Sequence, residues 1–143
     1  MQIKEVMTPS PEVISPEASL AEAATIMKRL DVGSLPVGNN NDSIVGWITD
    51  RDITTRATAE HRNPDAAAVR EAMSPAVVFC MENDDIDDCA RLMEEKQIRR
   101  LPVLNPERRL VGIVSLGDMA LNTDKNLAAK ILEKVSEPSR PNR

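Results

Sequence analysis

The sequence predicts a mixed α/β (α+β) protein in which one supersecondary unit occurs twice and packs as one pseudo-symmetric domain, with an added C-terminal helix. Three observations predict this. The stretch Val45-Gly46-Trp47-Ile48-Thr49-Asp50-Arg51-Asp52-Ile53 has a partner in Val111-Gly112-Ile113-Val114-Ser115-Leu116-Gly117-Asp118-Met119. The match extends without gaps from Ile3–Ala57 to Val69–Thr123 at a constant offset of 66 residues (112 − 46 = 66). Within each copy, a capped helical stripe is followed by two short β-rich runs joined by turn residues. A repeat of this length is a unit whose apolar face needs a partner, and alone it lies near the lower size limit for a core.

The first copy spans residues 1–58. Val6-Met7-Thr8-Pro9 opens it, and Pro9, Pro11 and Pro16 leave room only for a short extended piece around Val13-Ile14. Ser19 begins a helix, because Ser19-Leu20-Ala21-Glu22 fits a capping box. Leu20, Ala23, Ala24, Met27 and Leu30 follow at helical spacing as one buried stripe, and Gly33 ends or follows that helix. Leu35-Pro36-Val37 starts a strand, where an early proline is tolerated. Asn39-Asn40-Asn41-Asp42 is a turn, Ile44–Thr49 the return strand, and roughly Asp50–Ala57 a second helix.

Residues 59–68 read as a polar, Ala-rich connector. The second copy, 69–122, repeats the plan from Ala72-Met73-Ser74-Pro75. Asp84 or Asp85 caps a helix with Ile86, Cys89, Ala90 and Met93 on its inner face. Strands follow at Leu101–Leu104 and Leu110–Val114, joined by Asn105-Pro106-Glu107-Arg108, and a short helix starts near Leu116. Residues 123–143 lie outside the repeat. Thr123 or Asp124 caps a helix with Leu127, Ile131, Leu132 and Val135 on one side, packed on its own domain or at a dimer contact. A frayed Ser136-Glu137-Pro138-Ser139-Arg140-Pro141 tail ends it.

Composition narrows the function. With 143 residues and only Trp47 and Phe79 as aromatics, the core is built from Val, Ile, Leu, Met and Ala. A net charge of −5 argues against nucleic acid as the main partner. No apolar run reaches membrane-span length, and Met-Gln-Ile-Lys-Glu lacks the apolar core of a signal peptide, so a cytoplasmic protein is expected. The two cysteines suggest no disulfide framework. Cys80 aligns with Ile14 and Cys89 with Ala23, both apolar repeat positions, so buried structural thiols are expected. His61 lies in the connector, and no zinc spacing, nucleophile with a local base, phosphate-binding glycine loop or dinucleotide fingerprint is present. A catalytic role is therefore not expected.

In both copies an apolar strand ends in a hydroxyl residue with a carboxylate three positions later. A nucleotide needs a group for its ribose diol and donors for its phosphates. Asp52 and Asp118 suit the diol through two carboxylate oxygens. Thr49 and Ser115 sit where a strand becomes a helix, where free backbone donors and the helix dipole favour an anion. The same residues also fit a capping box that needs no ligand. Two copies behind Gly-led strands favour binding, and the two readings can coexist.

The tandem layout resembles a pair of cystathionine-β-synthase (CBS) domains, often called a Bateman module, of the stand-alone bacterial kind. The likeness covers residues 1 to about 122. It rests on Val6–Pro9 and Ala72–Pro75, the capped helices, the two Leu-Pro-Val strands, and above all Gly46–Asp52 and Gly112–Asp118. The resemblance implies β-α-β-β-α units with sheets packed together and two related clefts. It implies adenosine-containing regulatory ligands (AMP, ADP, ATP, NAD or S-adenosylmethionine), with no cofactor required, and homodimers shaped as a flat disc. It gives Thr49, Asp52, Ser115 and Asp118 the roles just described. It also places a basic residue before the second Leu-Pro-Val strand on ligand phosphates, which makes Arg100 the better candidate, with Arg99 beside it. Gly33 and Ser34 replace these arginines in the first copy, whereas Arg51 has no counterpart because Gly117 fills its place. The two clefts should therefore differ, with the one near Arg100 preferring the more highly phosphorylated ligand. Adenine would lie against Ile14 or Cys80, with Leu35-Pro36 or Leu101-Pro102 nearby, although each is also an ordinary core position. The expected function is a non-catalytic sensor whose ligand-dependent geometry is read by an unknown downstream protein. The alternatives are a constitutive dimerisation module with vestigial clefts and a metal or redox sensor built on the two cysteines.

Overall fold

The structure, a computed structural model, describes residues 1–40, 44–75, 78–122 and 125–136. In chain order the elements are a 3-10 turn at Ile3–Glu5, β1 (Thr8–Pro9), α1 (Leu20–Leu30), β2 (Ser34–Gly38), β3 (Ile44–Thr49) and α2 (Asp50–Ile53), which runs into a π-helical turn at Thr54–Thr58. A 3-10 turn at Val69–Glu71, β4 (Cys80–Met81), α3 (Ile86–Lys96), β5 (Arg100–Leu104), β6 (Leu110–Ser115), α4 (Leu116–Asn122) and α5 (Lys125–Val135) follow. This is the expected α+β composition.

The chain forms two compact units whose boundaries do not follow the sequence repeats. Pro11–Val77 makes one, here the repeat-one unit. Met1–Ser10 joins Val78–Arg143 to make the other, the repeat-two unit. Each copy's opening segment thus belongs with the body of the other copy.

In the repeat-two unit the strand order is β1-β6-β5-β4. β5 and β6 form an antiparallel hairpin in the register Arg100↔Ser115, Leu101↔Val114, Val103↔Gly112. β4 runs parallel to β5, and β1 antiparallel to β6. The period of two along a strand sends Leu101, Val103 and Val114 to one face. There they meet Ile3, Ile86, Met93 and Met119, all buried. The C-terminal helix α5 packs on α3 and α4 of this same unit.

The repeat-one unit repeats the pattern in shortened form. β2 and β3 pair antiparallel with Ser34↔Thr49, Leu35↔Ile48 and Val37↔Gly46. Single bridges, Ile14↔Val37 and Trp47↔Ser74, stand where the other unit has β4 and β1. Leu35, Val37 and Ile48 face Leu20, Ala23 and Met27 of α1 together with Ile14, Val69 and Ala72. Burying each such Leu, Ile, Val or Met contributes about 1.5–3 kcal/mol.

Local chemistry explains the helix ends. Ser19 Oγ accepts the Glu22 amide at 3.1 Å, and Asp85 Oδ1 accepts the Asp87 amide at 2.9 Å. Neither helix ends on glycine. Asp31 (φ 55°), rather than Gly33, takes the left-handed cap of α1, and Gln97 (φ 54°) takes that of α3. The stripe on α1 is Leu20, Ala23, Ile26 and Met27, whereas Ala24 is exposed and Leu30, at the last turn before the chain reverses, is 43 % exposed. The second helix widens after Ile53 because the Thr54 and Thr55 hydroxyls donate to the Asp50 and Arg51 carbonyls, and Ala59 N reaches Thr54 O five residues back.

The connector is packed onto the start of α1. The carbonyls of Pro64 and Ala67 accept the Ala21 and Leu20 amides at 3.0 Å each, satisfying open donors at the start of α1. Cys80 and Cys89 are joined in a disulfide rather than standing as separate buried thiols. The apolar repeat register that suggested simple packing also places the two side chains against each other across the β4–α3 junction. On α5, Leu132 is exposed. The turn residues Asn41 and Asp42, a cap at Thr123 or Asp124, the side chains of Leu127, Ile131 and Val135, and the tail beyond Ser136 lie outside the described residues.

Candidate functional site

Each unit places its hydroxyl–carboxylate pair where a buried strand gives way to a helix. In the repeat-one unit Asp52 N donates to Thr49 Oγ1 and Thr49 N donates to Asp52 Oδ2, both at 3.0 Å. In the repeat-two unit Asp118 N donates to Ser115 Oγ at 3.1 Å and Ser115 N to Asp118 Oδ2 at 2.9 Å. Both are complete capping boxes. All four residues are half-buried, so neither carboxylate is sealed in a core or loose in solvent. Each box fixes its carboxylate through one acceptor position on Oδ2. A carboxylate offers about four such positions, so three remain for a diol. Each hydroxyl accepts an amide and keeps its own hydrogen to donate.

The expectation of free backbone donors fails in the repeat-one unit. Thr49 N is held by Asp52 Oδ2, Asp50 N by Gly33 O at 2.9 Å, Arg51 N by Asp50 Oδ1 at 2.8 Å and Asp52 N by Thr49 Oγ1. The first turn is closed on itself, and the Asp50 carboxylate adds negative charge there. In the repeat-two unit Leu116 replaces Asp50. Leu116 N is held by Arg99 O at 2.8 Å, and Leu116 has no side-chain acceptor to fold back onto the Gly117 amide as Asp50 does onto Arg51 N. A Cβ at Gly117 would meet only Ser115 Oγ at 3.6 Å, so the space beside its Cα is open.

The two arginines separate. Arg100 lies on β5 directly across from Ser115 and is exposed. Cross-strand partners share a face, so Arg100 stands beside the Ser115–Asp118 box. Arg99 Nη2 instead lies 3.3 Å from Ser136 Oγ, just beyond α5, and Gln97 Nε2 donates to the Lys134 carbonyl at 3.3 Å. Arg51 is exposed on α2. The residue aligned with Arg100 is Ser34. It is 7 % exposed, it lies across from Thr49, and its Oγ has no partner among the described residues. Such an unpaired hydroxyl costs about 1–3 kcal/mol.

The base candidates lie inside. Ile14 and Leu35 belong to the repeat-one core, and Cys80 and Leu101 to the repeat-two core. Pro36 and Pro102 are buried on strands opposite Trp47 and Ile113. Sequence reasoning named Ser34 and Gly117 only as departures between the copies, not as site residues, and gave Asp50 no role. A residue-by-residue comparison of the two copies was the signal for all three, since each differs in charge or size from its counterpart. Among the described residues, no cluster of His, Cys, Asp or Glu suits a metal ion, and no helix is long and apolar enough to cross a membrane.

Comparison with known proteins places the chain by family and by fold. The CBS domain family model matches residues 3–58 and 69–122. The CBS domain-containing protein YhcV of Bacillus subtilis is 40 % identical over 127 residues, covering 89 % of each chain. The solved structure of CBSX2 in complex with AMP superposes with a TM-score of 0.72 at 26 % identity, covering 84 % of this chain and 93 % of that one. The CBS domain pair of protein MJ0100, solved with 5'-methylthioadenosine and S-adenosyl-L-methionine, superposes with a TM-score of 0.74 at 28 % identity, covering 85 % and 94 %.

Proposed function

The chain belongs to the CBS domain family, and from that premise we propose that it is a non-catalytic regulatory module that binds adenine nucleotides at its hydroxyl–carboxylate boxes. The observation that carries the reading is the duplicated box, which holds Asp52 and Asp118 rigidly with acceptor positions to spare. A group already fixed by its own backbone pays little ordering entropy when a diol arrives. The AMP and adenosine-type ligands bound by CBSX2 and MJ0100 support the ligand class.

The two boxes differ in charge. The repeat-two unit offers Arg100, the Ser115 hydroxyl and the Gly117 amide, a combination suited to phosphate. The repeat-one unit offers a self-satisfied turn with Asp50 beside it, which repels phosphate and leaves the buried Ser34 hydroxyl for a neutral group. ADP or ATP therefore favours the repeat-two unit, and a nucleoside with little or no phosphate favours the repeat-one unit. Binding acts by shifting the populations of two states of a homodimer, which it can do only through different affinities for them. An unidentified protein in the cytoplasm reads the shift.

A thermal-shift panel of adenosine, AMP, ADP, ATP, NAD and S-adenosylmethionine tests the proposal, because a ligand of the native state raises the melting temperature. At one hundred times its Kd a ligand adds about 2.7 kcal/mol, which is a rise of several degrees. A flat response to every compound at millimolar concentration would leave a scaffold without a ligand.

A further inference from the structure

The nucleotide reading leaves the bond between Cys80 and Cys89 unused. It ties β4 to α3 in the repeat-two unit across a Cα separation of 6.3 Å, with the two residues only 2 % and 1 % exposed. The aligned residues of the repeat-one unit are Ile14 and Ala23, 4 % and 0 % exposed, which fill the same places by apolar contact alone. The fold therefore closes without a covalent tether at this junction. Free cysteines behave there as small apolar side chains, so both the bonded and the unbonded pair fit the core.

The position of the pair makes it addressable. β4 is two residues long and is an edge strand of its sheet, so freeing it breaks few backbone bonds. Segments with few such bonds open at a fraction of the global unfolding cost. β4 also pairs directly with β5, the strand that carries Arg100, through Cys80↔Val103 and Met81↔Leu104. The tether thus holds the neighbour of the strand that carries the proposed phosphate-binding arginine.

We propose that Cys80–Cys89 is a reversible thiol–disulfide site that sets the rigidity of the repeat-two unit, and with it the unit's nucleotide affinity. The affinity half rests on the nucleotide reading above, and the thiol half does not. The co-reactant is a vicinal dithiol. One of its thiolates attacks a cysteine Sγ and forms a mixed disulfide, and its second thiol then displaces that sulfur. The protein gains two electrons and two protons as two thiols, and the dithiol leaves as its own disulfide. The reduced junction is looser, so a ligand must order more of it on binding, and affinity falls.

Intact-mass analysis after iodoacetamide treatment under native conditions tests the chemistry. Protein held in oxidised glutathione should take no label, and protein treated with dithiothreitol should take two. Reduced protein without ligand should melt roughly 5–10 °C below the oxidised form. Calorimetric titration with ATP, the ligand assigned to the repeat-two unit, should show binding at least about threefold weaker after reduction. The double variant Cys80→Ile, Cys89→Ala, which carries the residues of the first repeat, should melt and bind the same with and without dithiothreitol. The proposal is overturned if the cysteines stay alkylatable in oxidised glutathione, or if the bond yields only in denaturant. It is also overturned if the two redox forms of the natural protein melt and bind alike. If ATP binds neither form while the melting difference persists, the nucleotide reading fails and the thiol site stands.

Discussion

Replacing Gly46 with alanine isolates the contact that completes the repeat-one sheet. A Cβ built there would lie 2.6 Å from Met73 Sδ and 2.8 Å from the Ser74 carbonyl oxygen. The thioether can swing aside, but the carbonyl cannot. It accepts the Trp47 amide at 2.8 Å, while Ser74 N donates to Trp47 O at 2.9 Å. Making room for the methyl group means drawing the Met73–Ser74 segment away from β3. Losing two backbone hydrogen bonds costs about 2 kcal/mol. Residual crowding of Met73 adds about 1–2 kcal/mol. The stiffer unfolded chain returns up to about 1 kcal/mol. The net expectation is a loss of about 2–4 kcal/mol, measured by equilibrium urea denaturation followed by circular dichroism. Gly117→Ala is the control, because its Cβ enters open space at a helix start and stability should hold or rise by up to about 1 kcal/mol. A Gly46→Ala loss below about 0.5 kcal/mol, or equal losses in both variants, would refute the close-approach argument.

Asp118→Asn keeps an oxygen for the Ser115 amide, whereas Asp118→Ala removes it, so only the alanine variant should lose the roughly 1 kcal/mol of a capping bond in urea melts. Both variants should weaken ATP binding roughly tenfold or more in calorimetry; if Asn binds like the natural protein, the carboxylate charge is irrelevant to the ribose. Arg100→Gln should weaken ATP more than adenosine, by about tenfold, with an unchanged urea midpoint; equal effects on both ligands would remove the phosphate role. Glu71 gives a pH test. Its pKa is lowered, first by the Ala68 amide that its carboxylate accepts and then by Arg62. A depressed carboxylate pKa contributes stability that is fully present above the unfolded value of 4.5 and lost as pH falls through the lower folded value. The urea midpoint of Glu71→Gln should therefore lie below that of the natural protein at pH 7 and converge with it in acid. Parallel pH curves for the two proteins would dismiss the linkage.

The repeat was legible because it is written in side-chain type. The two Leu-Pro-Val strands, the Ser19 and Asp85 caps and the Thr49–Asp52 and Ser115–Asp118 spacings need only local geometry to interpret. What stayed hidden depends on contacts between distant residues or on backbone shape. Cys80 and Cys89 looked like core packing because their aligned residues are Ile14 and Ala23, and only the placement of β4 against α3 makes them partners. The left-handed caps went to Asp31 and Gln97, which the search for glycine passed over. The first turn after Thr49 looked rich in donors until the Asp50 side chain folded back onto the Arg51 amide. The opening segments of the copies carried no mark of which body they join, because Met7 and Met73 are the same residue and would serve beside either glycine.

That exchange of opening segments bears on how such a chain can arise. A lone ancestral copy would have had a vacant groove along one strand and a loose strip shaped to fill the groove of its twin. Two separate polypeptides trading strips would satisfy each other, so partnership precedes fusion in this scheme. A cut near residue 60 should therefore release halves that regain their shape only in each other's company.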